Sequence, residues 1–417
     1  MNSFSLHRYK NKAGAEGNKS SYQIGRSDFI DRTRPDLPTV LILSAGFGNG
    51  HSSAARALRE SLLSLDPGLH VVILDLLNIL SPAISPGLYA TYQLMVNKAG
   101  GVYNYFYNRK QRGRDILTSR PFRHLFLPRL LDLTEKLNPG IIISTFPLCA
   151  CYASYLKTFF LPHLRLVTCI TDVVHQREWI HPGVDLYLVA NPEIKEQLIR
   201  LGVRPSRVCA TGIPVGREFL QSSSPVADLR PYRLHPDHRF LLIMGGGGGN
   251  LPEDLEFYHW LNELPGVTSL ALCGTNTRLL KKLKKIENAA GLRCCGFSHD
   301  VPALMKKADL LVTRAGGITV FEAIASTLPL IIYNPQMGQE LQNSSYVVKR
   351  GLGKAAFTLE GLRHWISYCL SDPTALNQFI SNLQRERERM QWEQIPLHLL
   401  SLLHQNGDNH RQNRRSG

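Results

Sequence analysis

The sequence lacks most of the patterns that declare a site at once. It has eight cysteines in 417 residues, with an adjacent pair at Cys294 and Cys295 and a CxC at Cys149 and Cys151, but no CxxC with a matching second half. That excludes a paired-CxxC zinc site and a disulfide frame, and the thiols read as reduced core residues. No eighteen apolar residues run together, so no segment reads as a membrane span. The first 37 residues are polar and basic, without the apolar stretch of a secretory signal. The expectation is a cytoplasmic protein, with membrane contact peripheral. Acidic residues are also scarce, 33 against 48 Lys and Arg, for a formal charge of +15. Such an excess favours an anionic partner, whether nucleic acid, phosphorylated metabolite or acidic lipid, and charge alone does not choose.

What is present is alternation. With 43% hydrophobic residues there is ample material for packed cores. Val40 to Ser44, Val71 to Leu76, Ile141 to Thr145, Leu166 to Ile170 and Leu186 to Val189 are apolar on both faces, which suits parallel strands covered by helices. After the first, Ala54, Leu58 and Leu62 share a helical face that Asp66-Pro67-Gly68 ends. The pattern lapses near Ser222-Ser223-Ser224-Pro225, then resumes with Phe240 to Met244, Ser269 to Cys273, Leu310 to Thr313 and Leu330 to Tyr333. The division is a flexible tail (1–37), a first domain (38–215), a linker (216–238), a second domain (239–390) and a C-terminal helix with polar tail (391–417). The fold class is α/β, two doubly wound Rossmann-like domains facing across a cleft.

Three glycine turns follow strands. A turn there aims backbone N–H groups and a helix N-terminus at whatever lies above the sheet, favouring phosphate or a developing oxyanion. The first, Ser44-Ala-Gly-Phe-Gly-Asn-Gly-His51, lacks GK[ST] and so is no P-loop. It also places His51 where a dinucleotide fingerprint needs its third glycine. The second is Gly245-Gly246-Gly247-Gly248-Gly249, a run whose entropic cost points to close approach of a ligand. The third, Arg314-Ala315-Gly316-Gly317, opens a helix carrying Glu322. Two such turns in one domain suit a nucleoside diphosphate.

Ordered motifs over residues 38 to 390 resemble the monogalactosyldiacylglycerol synthase and processive diacylglycerol glucosyltransferase family. They are the first glycine turn with His51, Thr171-Asp172-Val173-Val174-His175 with Trp179 and His181-Pro182-Gly183, Thr211-Gly212-Ile213-Pro214, Arg314-Ala315-Gly316-Gly317 with Glu322, and Gly338-Gln339-Glu340 with Asn343. The resemblance implies a GT-B-type fold and a UDP-hexose held mainly by the second domain. It also implies inverting transfer to the hydroxyl of diacylglycerol, with no cofactor or metal. On it His51 and Asp172 are the catalytic pair, either Asp172 or the imidazole being the base. Gly245, Gly246, Gly247, Gly248, Gly316, Gly317, Glu322, Gln339 and Glu340 bind the donor, while Gly48, Gly50, His175 and Trp179 serve the acceptor and phosphate side. Phe47, Asn49 and Met337 depart from the family pattern, which bears on donor-sugar choice.

Each residue also has a plain structural reading. His51 would cap its helix, Asp172 would make an Asx turn, Trp179 would pack in the core, and Gln339 and Glu340 would cap theirs. The insertion 81–138 interleaves aromatics with basic residues, among them Tyr105, Arg109, Lys110, Arg112, Arg114 and Arg123. That composition suits an anionic membrane surface, and equally a solvated helical hairpin. Single-stranded nucleic acid fits it too, but leaves the diphosphate-type turns without a role, so nucleic acid is not expected. A polyprenyl-linked or soluble acceptor, and a non-catalytic nucleotide-sugar sensor, are the competing functions.

Overall fold

The computed structural model describes residues 39–46, 49–80, 120–221, 229–288, 290–336 and 338–415. Two six-stranded sheets organise it, and every strand pairing is parallel. The first contains β1 (Thr39–Ser44), β2 (His70–Asp75), β3 (Ile141–Ser144), β4 (Arg165–Cys169), β5 (Leu186–Val189) and β6 (Val208–Ala210), in the order β2-β1-β3-β4-β5-β6. The second contains β7 (Arg239–Met244), β8 (Val267–Leu272), β9 (Leu292–Cys295), β10 (Leu310–Thr313), β11 (Leu330–Tyr333) and β12 (Gly353–Ala356), in the order β12-β11-β10-β7-β8-β9. In each sheet the chain runs outward to one side and then returns to build the other. The order therefore reverses between β1 and β3 and again between β7 and β10. A crevice opens above the strand ends at such switch points, where α/β sheets bind ligands.

The apolar-on-both-faces pattern has its expected cause. Along β7, Leu241 and Ile243 face one core while Phe240, Leu242 and Met244 face another. The latter cluster is continuous with the first domain's core through residues such as Ile318 and Phe321 of the Gly317–Ala325 helix. The two lobes are thus joined by buried apolar surface as well as by the linker. Burial of this kind contributes about 25 cal/mol per Å².

The C-terminal Gln394–Arg415 helix crosses back onto the first domain. Trp392 Nε1 donates to the Ile213 carbonyl at 2.8 Å, and the Gln391 amide donates to that of Thr211 at 3.0 Å. The helical stretch reaches Arg415, close to the end of the segment read from composition as a helix with a polar tail. Among the described residues no helix is long and apolar enough to cross a membrane.

Candidate functional site

The first glycine turn leads from β1 into the Asn49–Leu65 helix, setting His51 in that helix's first turn above the β1/β3 switch point. Its Nδ1 lies 2.8 Å from the Thr145 carbonyl and 2.9 Å from Thr171 Oγ1. A carbonyl only accepts, so Nδ1 carries the hydrogen and Nε2 keeps its lone pair. Thr145 is itself fixed to the end of β1, its amide donating to the Leu43 carbonyl and its Oγ1 to Ser44 Oγ at 3.0 Å each. The edge of Phe146 closes one side of the imidazole, with ring centroids 5.0 Å apart. Burial lowers the His51 pKa to about 4, against the opposing pull of the Thr145 carbonyl. The imidazole is therefore neutral at physiological pH, in the tautomer of a general base.

Asp172 does not hold this ring, contrary to one of its two expected roles. Its Oδ1 instead accepts from the Gly317 amide at 3.2 Å and from Asn343 Nδ2 at 2.8 Å, both in the second domain. Burial raises its pKa to about 6, against the lowering effect of those donors. The resemblance pairs the acid with His51, and a carboxylate is the familiar partner of a catalytic imidazole. The two threonines that do the holding carry no such signal.

In the second domain Thr313 and Met244 are register partners on β10 and β7, so the turns after these strands lie side by side above the second switch point. The five-glycine run has mixed causes. A Cβ on Gly245 would sit 2.5 Å from the Asn250 backbone, and one on Gly249 would sit 1.8 Å from the Cys273 carbonyl oxygen. The protein's own packing thus requires glycine at both positions, whatever meets the turn from outside. Gly246 has φ +68° and open space around it, while Gly248 meets nothing nearer than the Asn250 side chain at 3.8 Å. These two leave room for a ligand.

Gly316 is exposed at the N-cap of the Gly317–Ala325 helix. Gly317 is buried, and a Cβ there would meet the Thr171 carbonyl oxygen at 2.2 Å. Its lack of a side chain lets the two lobes touch at this point. Glu322, a turn and a half onward, feels Arg56 and Glu218 as its nearest charges, and burial raises its pKa to about 8. It thus lies at the seam between the lobes.

Glu340 is buried, pairs with Arg314 at 3.0 Å, and accepts from the Gln336 amide at 2.9 Å. That backward reach is the capping geometry anticipated as the plain reading. Its neighbour behaves differently. Gln339 Oε1 is buried with no hydrogen-bond partner among the described residues, as is Arg314 Nε. A buried polar atom without a partner is costly, so an acceptor and a donor in this state, at the heads of neighbouring strands, fit a polar ligand.

Gly50 lies close to the second domain, a Cβ there coming 3.5 Å from Ile318 Cγ1, so the histidine turn and the second domain's helix face each other. His175 is exposed. Trp179 is only 2% exposed and packs in the first domain's core, which corrects its expected place among acceptor contacts. Its size and apolar surface go to burial. Arg123 falls within the Arg120–Leu137 helix. Gly48, Tyr105, Arg109, Lys110, Arg112 and Arg114 lie outside the described residues.

Comparisons with known proteins speak to the family and the fold. Residues 51–215 match the family model for monogalactosyldiacylglycerol (MGDG) synthase, and residues 267–394 match the glycosyltransferase family 28 C-terminal domain. A processive diacylglycerol beta-glucosyltransferase of Bacillus subtilis (strain 168) is 32% identical over 352 residues, covering 83% of this chain and 90% of that protein. The protein of the same name from Bacillus licheniformis is 32% identical over 353 residues, with the same coverage. Among solved structures, Acinetobacter baumannii MurG superposes with TM-score 0.57 at 15% identity, over 88% of this chain and 99% of that one. Anabaena Alr3699/HepE, in complex with UDP and glucose, superposes with TM-score 0.53 at 15% identity, over 88% of this chain and 100% of that one. At such identities the structural likeness speaks to the fold, which is of GT-B type.

Proposed function

The chain belongs to the family of diacylglycerol glycosyltransferases that includes the monogalactosyldiacylglycerol synthases, and from that premise we propose that it moves a hexose from a UDP-sugar to the hydroxyl of diacylglycerol with inversion. The observation that carries the reading is the meeting of two switch points across one cleft. On one side stands a neutral, oriented histidine. On the other are two glycine turns, with polar atoms on Arg314 and Gln339 that have no partner among the described residues.

In this mechanism His51 Nε2 takes the acceptor hydroxyl's proton as the oxygen attacks the anomeric carbon. The C–O bond to UDP breaks, and the diphosphate leaves with the bonding pair. Backbone N–H groups of the Gly246–Gly248 turn, the Gly316 helix N-terminus and the Arg314 guanidinium stabilise the departing charge. The proposal assigns this stabilisation to the protein without a metal ion. Gln339 contacts hexose hydroxyls, and Glu322 contacts the ribose as the lobes adjust around the donor. The names of the relatives support glucose as the hexose.

The basic and aromatic insertion holds the enzyme at an anionic bilayer, where the acceptor resides. Labelled UDP-glucose and UDP-galactose, each incubated with diacylglycerol vesicles, test the reading by mass spectrometry of the extracted lipid. A monohexosyl product from UDP-glucose is expected. Absence of any glycolipid from either donor sinks the proposal. Sugar transfer that ignores diacylglycerol and requires a polyprenyl-linked acceptor replaces it.

A further inference from the structure

The segment just beyond β4 touches both lobes at once. Thr171 Oγ1 meets His51, and its carbonyl is packed against Gly317. One residue on, Asp172 binds the Gly317 amide and Asn343, and the Val173 amide donates to Asn343 Oδ1 at 2.8 Å. Asn343 is 0% exposed, and its second Nδ2 hydrogen goes to the Ala315 carbonyl at 2.8 Å. Every polar atom of that amide is therefore committed. It ties the Arg314–Gly317 turn to the Thr171–Val173 segment. Another contact between the domains, the ion pair of Arg350 with Glu193, is more exposed and contributes little rigidity.

We propose that Asp172 is a positioning residue, not the proton acceptor. With Asn343 it clasps the helix of the donor turn to the segment that holds His51, so closure of the lobes and alignment of the base are one event. This rests on the reading of His51 as base. The physical advantage is exclusion of water. A UDP-hexose in an open cleft beside a fully set base is open to hydrolysis, whereas a base whose Thr171 contact is locked only on closure acts after the cleft has emptied of solvent. A carboxylate suits the clasp because one oxygen accepts from both an amide N–H and a side-chain NH₂, and charge strengthens both bonds.

The test combines turnover kinetics with fluorescence transfer between one dye on each lobe, for Asp172→Asn, Asp172→Ala, Asn343→Ala and the double alanine variant. Asp172→Asn keeps an oxygen toward both donors, so its turnover should remain within about fivefold of wild type and its lobes closed. Asp172→Ala is expected to widen the separation and lower kcat by about 10–100-fold. Adding Asn343→Ala to it should cost nothing more, because the two act as one unit. Asn343→Ala alone carries the test if Asp172→Ala does not fold. Loss of about 100-fold or more in Asp172→Asn with lobes still closed overturns the proposal and makes Asp172 part of the chemistry. Unchanged lobe separation in both alanine variants also overturns it. Full activity in His51→Ala would remove the base reading alone, since the separation measurement does not depend on it.

Discussion

At His51 the decisive feature is which nitrogen holds the proton. The Thr145 carbonyl fixes it on Nδ1, and burial keeps the ring neutral down to about pH 4. The acid limb of kcat/KM should therefore fall with an apparent pKa near 4; a limb near 6 would instead implicate Asp172, whose pKa burial raises to about that value. The same shift sets a stability trend. An imidazole held below its unfolded value of 6.5 takes up its proton more readily when unfolded, so stability declines as pH falls from about 6.5 toward 4. Replacing His51 with alanine should lower kcat by about 10²–10⁴-fold while calorimetric UDP affinity stays unchanged. Equal losses in both would make it a binding residue. The histidine is legible in the sequence from its place after a strand and glycine turn. Its partners are not, because Thr145 and Thr171 lie 94 and 120 residues away and only the β1-β3-β4 order brings them together.

The glycine run after β7 separates two kinds of glycine that look identical in sequence. Gly249→Ala drives a Cβ into the Cys273 carbonyl and should lose about 3 kcal/mol in denaturant unfolding. Gly248→Ala meets only an ordinary contact with the Asn250 side chain at 3.8 Å, so it should unfold like wild type yet bind UDP more weakly. Normal UDP affinity in that variant would remove the turn from the donor site. On the Gly317–Ala325 helix, Glu322 has its pKa raised to about 8 by burial at the lobe seam. A raised carboxyl stabilises the fold while protonated and loses that contribution as pH climbs through 8. Glu322→Gln should therefore raise Tm by a margin that grows from about pH 4.5 to 8 and levels off above that, and a margin that shrinks across this range would contradict the shift. Nine of the twelve strands are readable because they are central or strongly apolar. The three that are not, β6, β9 and β12, are all edge strands of three or four residues. Leu-Arg-Cys-Cys and Gly-Lys-Ala-Ala lack the doubly buried pattern because an edge is covered on fewer sides.

For the whole molecule, the sequence foretells two facing domains but not how closely they close. The continuous apolar cluster and the part-buried Asp172–Asn343 contact emerge only when residues about 170 apart meet. On the membrane side, serine replacements of Arg109, Lys110, Arg112 and Arg114 should each weaken binding to anionic vesicles by about 1 kcal/mol. The effect should shrink at high salt, and salt-independent binding would argue against an electrostatic contact. The central claim is that one closed cleft delivers a UDP-bound hexose to a lipid alcohol under the control of His51. Steady-state UDP release from UDP-glucose, with and without diacylglycerol in anionic vesicles, tests it most directly. Release is expected only when diacylglycerol is present, and release at the same rate from lipid-free solution would contradict it.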